Sequence, residues 1–313
     1  NYEIDPYDRD LDNYFVLQNL KDEFVKQEQE KLKLEQEKNK FLEEKQEVYR
    51  EFTHTLGNVI APNLIYNIAQ KIPQGNFTSD ELYETLMKAY LSETYIKRQA
   101  ELVQLRALGE ARLRLEVQSE KNALQGETTS ISKIVEEVLI RQIAYFLFQQ
   151  TGRYEGRMNE ILVFKNVRKE DLRKDFYEKV FSVKSPDVTF WLRENIGDFK
   201  INVSNLWKSL KFKQNGITSL LLSNFLQEII LNAIKYHDLK EGLIAEIDFS
   251  EDEDFLIISS KNPTTKALGE TSGLKSMGVY AKLLNGKNKG VYHKIKNNIY
   301  DMKLLIQTKL MVR

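Results

Sequence analysis

Cysteine is absent from the 313 residues, so no disulfide and no thiolate metal site can form. That composition fits a reducing compartment, and the expected location is cytoplasmic. Histidine is scarce. His54, His237 and His293 are far apart and show no metal-ligand spacing. Net charge is also lacking: 46 Lys and Arg balance 46 Asp and Glu, so no global basic field marks a nucleic-acid partner. No apolar run reads as long enough to span a bilayer, so no membrane segment is expected. The opening Asn1-Tyr2-Glu3 is not a secretory leader.

Hydrophobic residues make up 42% of the chain, enough for real cores, and charged residues 29%, enough for long solvated helices. The length suggests about two domains. Residues 1–16 are acidic and Tyr-rich and read as a linker or the tail of something upstream. From about Leu17 the chain is helical and charge-laced. Leu20, Phe24, Gln27, Lys31, Leu34, Lys38, Phe41, Lys45, Val48, Phe52, Thr55 and Val59 recur at alternating steps of four and three, a heptad seam. Three seam lysines weaken it. Two readings stay open, a parallel dimeric coiled coil and a single solvated helix. His54 and Asn58 lie four apart and off the seam, on one outward face, where an imidazole can be reached.

The helix continues to about Ile72, with a kink at Pro62, and breaks at Pro73-Gln74-Gly75-Asn76. Thr78-Ser79-Asp80-Glu81 reads as a capping box that opens a second long helix, to about Leu124. Two long antiparallel helices with one apolar stripe each cannot bury those stripes alone, and a dimeric four-helix bundle can. Residues 131–150 form an apolar helix. In the stretch 151–200, Ile161-Leu162-Val163-Phe164 reads as a short strand, 169–182 as a helix and Phe199–Val203 as a strand. Further strands fall at Leu243–Phe249, Phe255–Ser260, about Gly290–Ile295 and Met302–Leu310, with a helix over Gly273–Leu284.

The stretch Phe225–His237 is an apolar helix with a polar stripe. Glu228 and Asn232 are four apart and Lys235 follows three later, so a carboxylate, an amide and an ammonium share one face. Such a set can hold a hydrated Mg²⁺ and a polyphosphate. The same stripe also fits a core helix whose polar edge faces water. His237, just beyond, either contacts a nucleotide or caps the helix.

This stretch resembles the Asn-containing motif of the histidine-kinase ATP-binding domain, a fold shared with gyrase and MutL. Phe52–Asn58 upstream resembles the phosphoacceptor stretch, and Gly269–Met277 downstream the glycine-bearing one. Their order carries the resemblance, which covers roughly residues 20–310. It implies an α+β chain: a long dimeric helical hairpin, a four-helix bundle with an N-terminal coiled coil, followed by an α/β-sandwich ATP-binding domain. The implied divisions are 1–40 linker and coiled coil, 41–127 dimerisation and histidine-phosphotransfer hairpin, and 128–313 ATP-binding domain with an extra helical region.

By the resemblance, ATP and Mg²⁺ are bound, with Asn232 the metal ligand, Glu228 orienting or deprotonating the attacking group, and Lys235 neutralising phosphate. Asn262 stands where most of the family has an adenine-binding Asp, as in the peptide-sensing and citrate-sensing branch. Gly269, Gly273 and Leu274 belong to the phosphate-facing stretch. His54 takes the γ-phosphoryl group and passes it to an aspartate on a response-regulator receiver domain, and Asn58 matches a residue that orients water for dephosphorylation. Thr55 departs from the pattern, standing where the family has an acidic residue. A second reading is therefore a catalytically weakened homodimer acting as a nucleotide-sensing scaffold. A third is an ATPase-driven clamp in which Glu228 activates water.

Overall fold

The computed structural model describes residues 6–55, 78, 81, 83–91, 113–122, 126–148, 153–264, 278, 281–282, 284 and 290–311. The chain divides into two compact units, Asn1–Pro62 and Asn63–Arg313.

The first unit is one helix, α1 (Pro6–Thr55), of 50 residues, about 75 Å long. It begins earlier than the expected helix start at about Leu17. Pro6 stands at the first helical position, where a missing N–H costs nothing and the fixed φ suits a helix. The seam residues Leu20, Phe24 and Leu34 are more than half exposed, at 56%, 65% and 67%. Among the described residues, this part of the apolar register is left exposed.

The second unit is built on a five-stranded sheet of order β2-β4-β5-β7-β6. The strands are β2 (Asp198–Val203), β4 (Leu243–Glu251), β5 (Phe255–Pro263), β6 (Val291–Lys296) and β7 (Ile299–Gln307), and a small pair joins β1 (Thr128–Thr129) to β3 (Phe212–Lys213). β2 and β4 are parallel, so a crossover must join them; α7 (Val188–Asn195) leads into β2, and α8 (Asn205–Ser209) and α9 (Ile217–Tyr236) lie in the crossover. The other pairs are antiparallel. On β5 the residues Leu256, Ile258, Ser260 and Asn262 are buried, and on β7 Tyr300, Met302, Leu304 and Ile306, the period-two signature of one covered face. Helices α4 (Ile131–Phe148) and α9 pack with that face, and the expected mixed helix-and-sheet architecture is what the chain adopts.

β7 begins three residues earlier than expected. Asn297 and Asn298 both have positive φ, 53° and 58°, and close a two-residue hairpin between β6 and β7. Asparagine tolerates that region better than other side-chain-bearing residues.

Ile161–Phe164 is not a strand but the end of α5 (Arg153–Lys165). A four-residue apolar run does not distinguish the two by composition. Burial does: Met158 and Ile161, one turn apart, are fully buried, whereas Val163 is 82% and Phe164 52% exposed. The sequence expectation of no membrane-length run is also corrected. By length and composition α9 is apolar enough to cross a bilayer. Its Leu221, Leu222, Phe225, Leu226, Ile230 and Ala233 are instead fully buried in the core.

The capping box forms as expected. The Thr78 hydroxyl accepts from the Glu81 N–H at 3.3 Å, and the Glu81 carboxylate accepts from the Thr78 N–H at 3.2 Å. The helix that follows, α2 (83–91), explains the long stretch before residue 200. Tyr83 stacks on Tyr177 at 4.3 Å, Tyr90 meets Phe181 edge-on at 5.0 Å, and Met87 is fully buried. Tyr177 and Phe181 belong to a π-helical turn that continues α6 (Lys169–Phe176). Arg173 of α6 ties three elements together: its Nε donates to the Leu147 carbonyl at 2.7 Å, its Nη1 lies 3.4 Å from Glu84, and its guanidinium lies over Phe148. Burial lowers the Arg173 pKa, with Glu84 opposing. Residues 153–196 thus clamp α2 against α4. Arg173→Met removes the ion pair and leaves the Leu147 carbonyl and Glu84 without this partner. The expected loss is about 2 kcal/mol of unfolding free energy, read by denaturant titration.

Candidate functional site

α9 carries the expected polar stripe. Glu228, Asn232 and Lys235 are all half-buried, on a helix most of whose apolar residues are packed in the core. No hydrogen bond from the Asn232 amide is found among the described residues. The Lys235 ammonium lies 5.1 Å from the centre of the Tyr236 ring.

The C-terminal end of α9 is stitched to the end of β5. The His237 N–H donates to the Ala233 carbonyl at 3.0 Å, and His237 bridges to Thr264. The Asp238 N–H donates to the Pro263 carbonyl at 3.1 Å. Through these bonds the last turns of α9, with Asn232 and Lys235, adjoin the strand end that carries Asn262. His237 is 3% exposed and its own N–H caps the helix, in line with the capping alternative.

Arg157 of α5 completes this helix end. Its Nε donates to the Ile234 carbonyl at 3.4 Å, its Nη2 donates to the His237 carbonyl, and its Nη1 pairs with Glu160 at 2.6 Å. A guanidinium here satisfies carbonyls that the helix leaves open and meets the negative end of its dipole. His237 Nδ1 lies 2.9 Å from the Ile234 carbonyl and 3.1 Å from Arg157 Nη2, and it donates to the first or accepts from the second according to its tautomer. Burial, reinforced by the charge of Arg157 and opposed by the Ile234 carbonyl, pushes the His237 pKa down to about 4.

Asn262 is 2% exposed and its Nδ2 has no hydrogen-bond partner among the described residues. Directly opposite it on β7 stands Tyr300, 4% exposed, whose hydroxyl likewise has no partner among the described residues. Neither Arg157 nor Tyr300 is a residue that sequence reasoning singled out. His54 lies on α1 in the other unit, and its backbone is helical. Asn58, Gly269, Gly273 and Leu274 lie outside the described residues. Among the described residues no cluster of His, Asp and Glu makes a metal site, so a metal here would rest on one or two protein oxygens and a phosphate.

The opposite end of α9 is closed differently. Glu120 of α3 (113–122) caps it, accepting from the Ile217 and Thr218 N–H groups, the latter at 3.0 Å. A Cβ on Gly216 would meet that carboxylate at 2.6 Å, so a larger residue there would displace the Glu120 side chain from the cap. A cavity of about 310 Å³ opens beside this cap, between Val117, Leu210, Phe212 and Met311, and holds none of the expected site residues.

No family model and no curated protein matches the chain. Among solved structures it is similar to the histidine kinase AdeS of Acinetobacter baumannii, at 14% identity and a TM-score of 0.35, over 83% of this chain and 98% of that one. It is also similar to the cytoplasmic segment of the histidine kinase QseC, at 14% identity and a TM-score of 0.29, over 69% and 92% of the two chains. The catalytic domain of the histidine kinase ThkA matches at 12% identity and a TM-score of 0.29, over 59% and 99%. Likenesses at this level do not assign a family.

Proposed function

We propose that the chain is the transmitter part of an ATP-dependent protein histidine kinase of the two-component type. The observation that carries the reading is the α9 stripe, Glu228, Asn232 and Lys235, fastened at its end to the strand that presents a buried amide nitrogen, Asn262 Nδ2, with no partner among the described residues. Asn232 fits a magnesium ligand, since its amide is half-buried on a rigid helix with no described partner. The ion supplies charge neutralisation for the triphosphate. Lys235 adds a positive charge from the next turn, and Glu228 orients the attacking group.

An imidazole nitrogen of His54 attacks the γ-phosphorus of ATP, the bond to the bridging oxygen breaks, and ADP leaves. The phosphoryl group then passes to an aspartate of a response-regulator receiver domain. Gly269, Gly273 and Leu274 complete the phosphate contacts, and Asn58 orients water for hydrolysis of the receiver's aspartyl phosphate. The domain divisions at about 40 and 127 follow from these roles. The uncovered seam of α1 is taken up by a second copy of this chain as a parallel coiled coil.

Incubation with γ-labelled ATP and Mg²⁺ should give acid-labile phosphate on the wild type and none on His54→Gln. Label that persists in the variant overturns the assignment. Thr55, in place of an acid that would polarise His54, favours a second reading, a nucleotide-sensing scaffold. Thermal stabilisation by nucleotide with no phosphohistidine selects it.

A further inference from the structure

Asn262 and Tyr300 are direct cross-strand partners on β5 and β7, so their side chains leave the same face of the sheet, the one covered by helices. Residues so paired have Cβ atoms about 5 Å apart. Each is more than nine-tenths buried, and each holds a polar atom with no partner among the described residues, the amide Nδ2 and the phenol oxygen. A single such atom costs stability, and two side by side mark a place where something polar belongs. Burial raises the Tyr300 pKa to about 12, so the phenol keeps its proton near neutrality and can donate as well as accept.

This pair terminates the strand to which the end of α9 is bonded, one element away from Asn232. It therefore sits where the base of a nucleotide held by α9 would come to rest. A carboxylate at Asn262 would only accept hydrogen bonds and so would select the amino group of adenine and repel the carbonyl of guanine. An amide offers one donor and one acceptor side by side. It matches the amino group and ring nitrogen of adenine, and, with the amide turned over, the carbonyl and ring N–H of guanine. The phenol adds a contact to either.

Resting on the nucleotide reading above, the geometry points to a purine-reading pair, Asn262 with Tyr300, that accepts ATP and GTP alike. The base-contacting role of Tyr300 and the relaxed choice of purine are consequences of this chain's own residues.

The experiment is calorimetric titration of the full chain, in Mg²⁺, with ATP, GTP, CTP and inorganic tripolyphosphate. ATP and GTP should bind within about tenfold of each other, and CTP more weakly. Asn262→Asp should weaken GTP by about tenfold or more while leaving ATP in place. Tyr300→Phe should weaken both purine nucleotides about fivefold and leave tripolyphosphate unchanged. Because it deletes an unpartnered buried hydroxyl, the same variant should raise the thermal midpoint of the unliganded protein by about 2 °C.

Tight ATP binding with GTP more than about 100-fold weaker in the wild type overturns the inference and leaves the nucleotide reading standing. So does Tyr300→Phe binding both purines as the wild type does, which would give the pair a buried water only. No binding of any nucleotide overturns both.

Discussion

Asn232→Ala is expected to weaken Mg²⁺-ATP binding about 100-fold, equal to about 2.7 kcal/mol, with little change in thermal stability. The two halves of that expectation have separate causes. Asn232 lies on the half-buried stripe of α9, and its amide has no hydrogen bond among the described residues, so its removal leaves no protein group newly stranded. The packing that holds α9 comes from Phe225, Leu226, Ile229, Ile230 and Ala233, which the substitution does not touch. A hard divalent ion, by contrast, takes few protein ligands, and losing one oxygen donor of one or two is a large fractional loss. The comparison with Asn232→Asp separates ligation from shape, because an oxygen donor is retained there and Mg²⁺-dependent binding should partly recover. Isothermal titration in Mg²⁺ and in EDTA reads both. If Asn232→Ala binds nucleotide as tightly as the wild type in Mg²⁺, the stripe is only a solvated edge of a core helix.

The parts of this site that could be read from the sequence are those fixed by local periodicity. The run Phe225–His237 repeats its apolar residues at helical spacing, so the face shared by Glu228, Asn232 and Lys235 follows without any tertiary information. The hairpin β4–β5 follows likewise from two β-rich runs around an acidic turn, and the observed strands extend it to Pro263. The parts that could not be read depend on register or on distant segments. Tyr300 faces Asn262 only because the Asn297–Asn298 turn sets the β6–β7 hairpin and β7 then pairs with β5 in one particular register. One residue of slip would turn Tyr300 to the other face.

Arg157 meets His237 across 80 residues of chain, from a helix whose apolar end read equally well as a strand. Nothing local to Arg157 marks it. A guanidinium becomes a helix cap only when folding brings the two ends together. The clamp on α2 was hidden for the same reason, since Arg173, Tyr177 and Phe181 look like an ordinary amphipathic turn until Glu84, Tyr83 and Tyr90 are set against them.

The second large effect is on the pH dependence of stability, and its origin is His237. The imidazole is buried at the junction of α9 and β5, with Arg157 beside it, and its pKa falls from 6.5 to about 4. The folded protein therefore resists a proton that the unfolded chain accepts. The sign follows directly: above about pH 6.5 both states hold a neutral ring and nothing is lost. Between 6.5 and 4 the unfolded state takes up the proton first, so unfolding is favoured as the pH falls. Below 4 both states are protonated and the loss is complete. A difference of this size corresponds to about 3 kcal/mol at full loss.

Carboxylates titrate in the same window, so the measurement is the difference between two curves, wild type and His237→Gln, each followed by chemical denaturation from pH 7.5 to 4. The wild type should lose about 3 kcal/mol more than the variant over that interval. Parallel curves would mean that the ring is reached by water and that the junction is not closed as described. The same proton should loosen the site, because protonation sets a cation against Arg157 at the point where α9 is joined to Asn262. Nucleotide affinity should then fall in the wild type as the pH drops toward 4, where the folded protein takes up the proton, and His237→Gln should flatten the dependence.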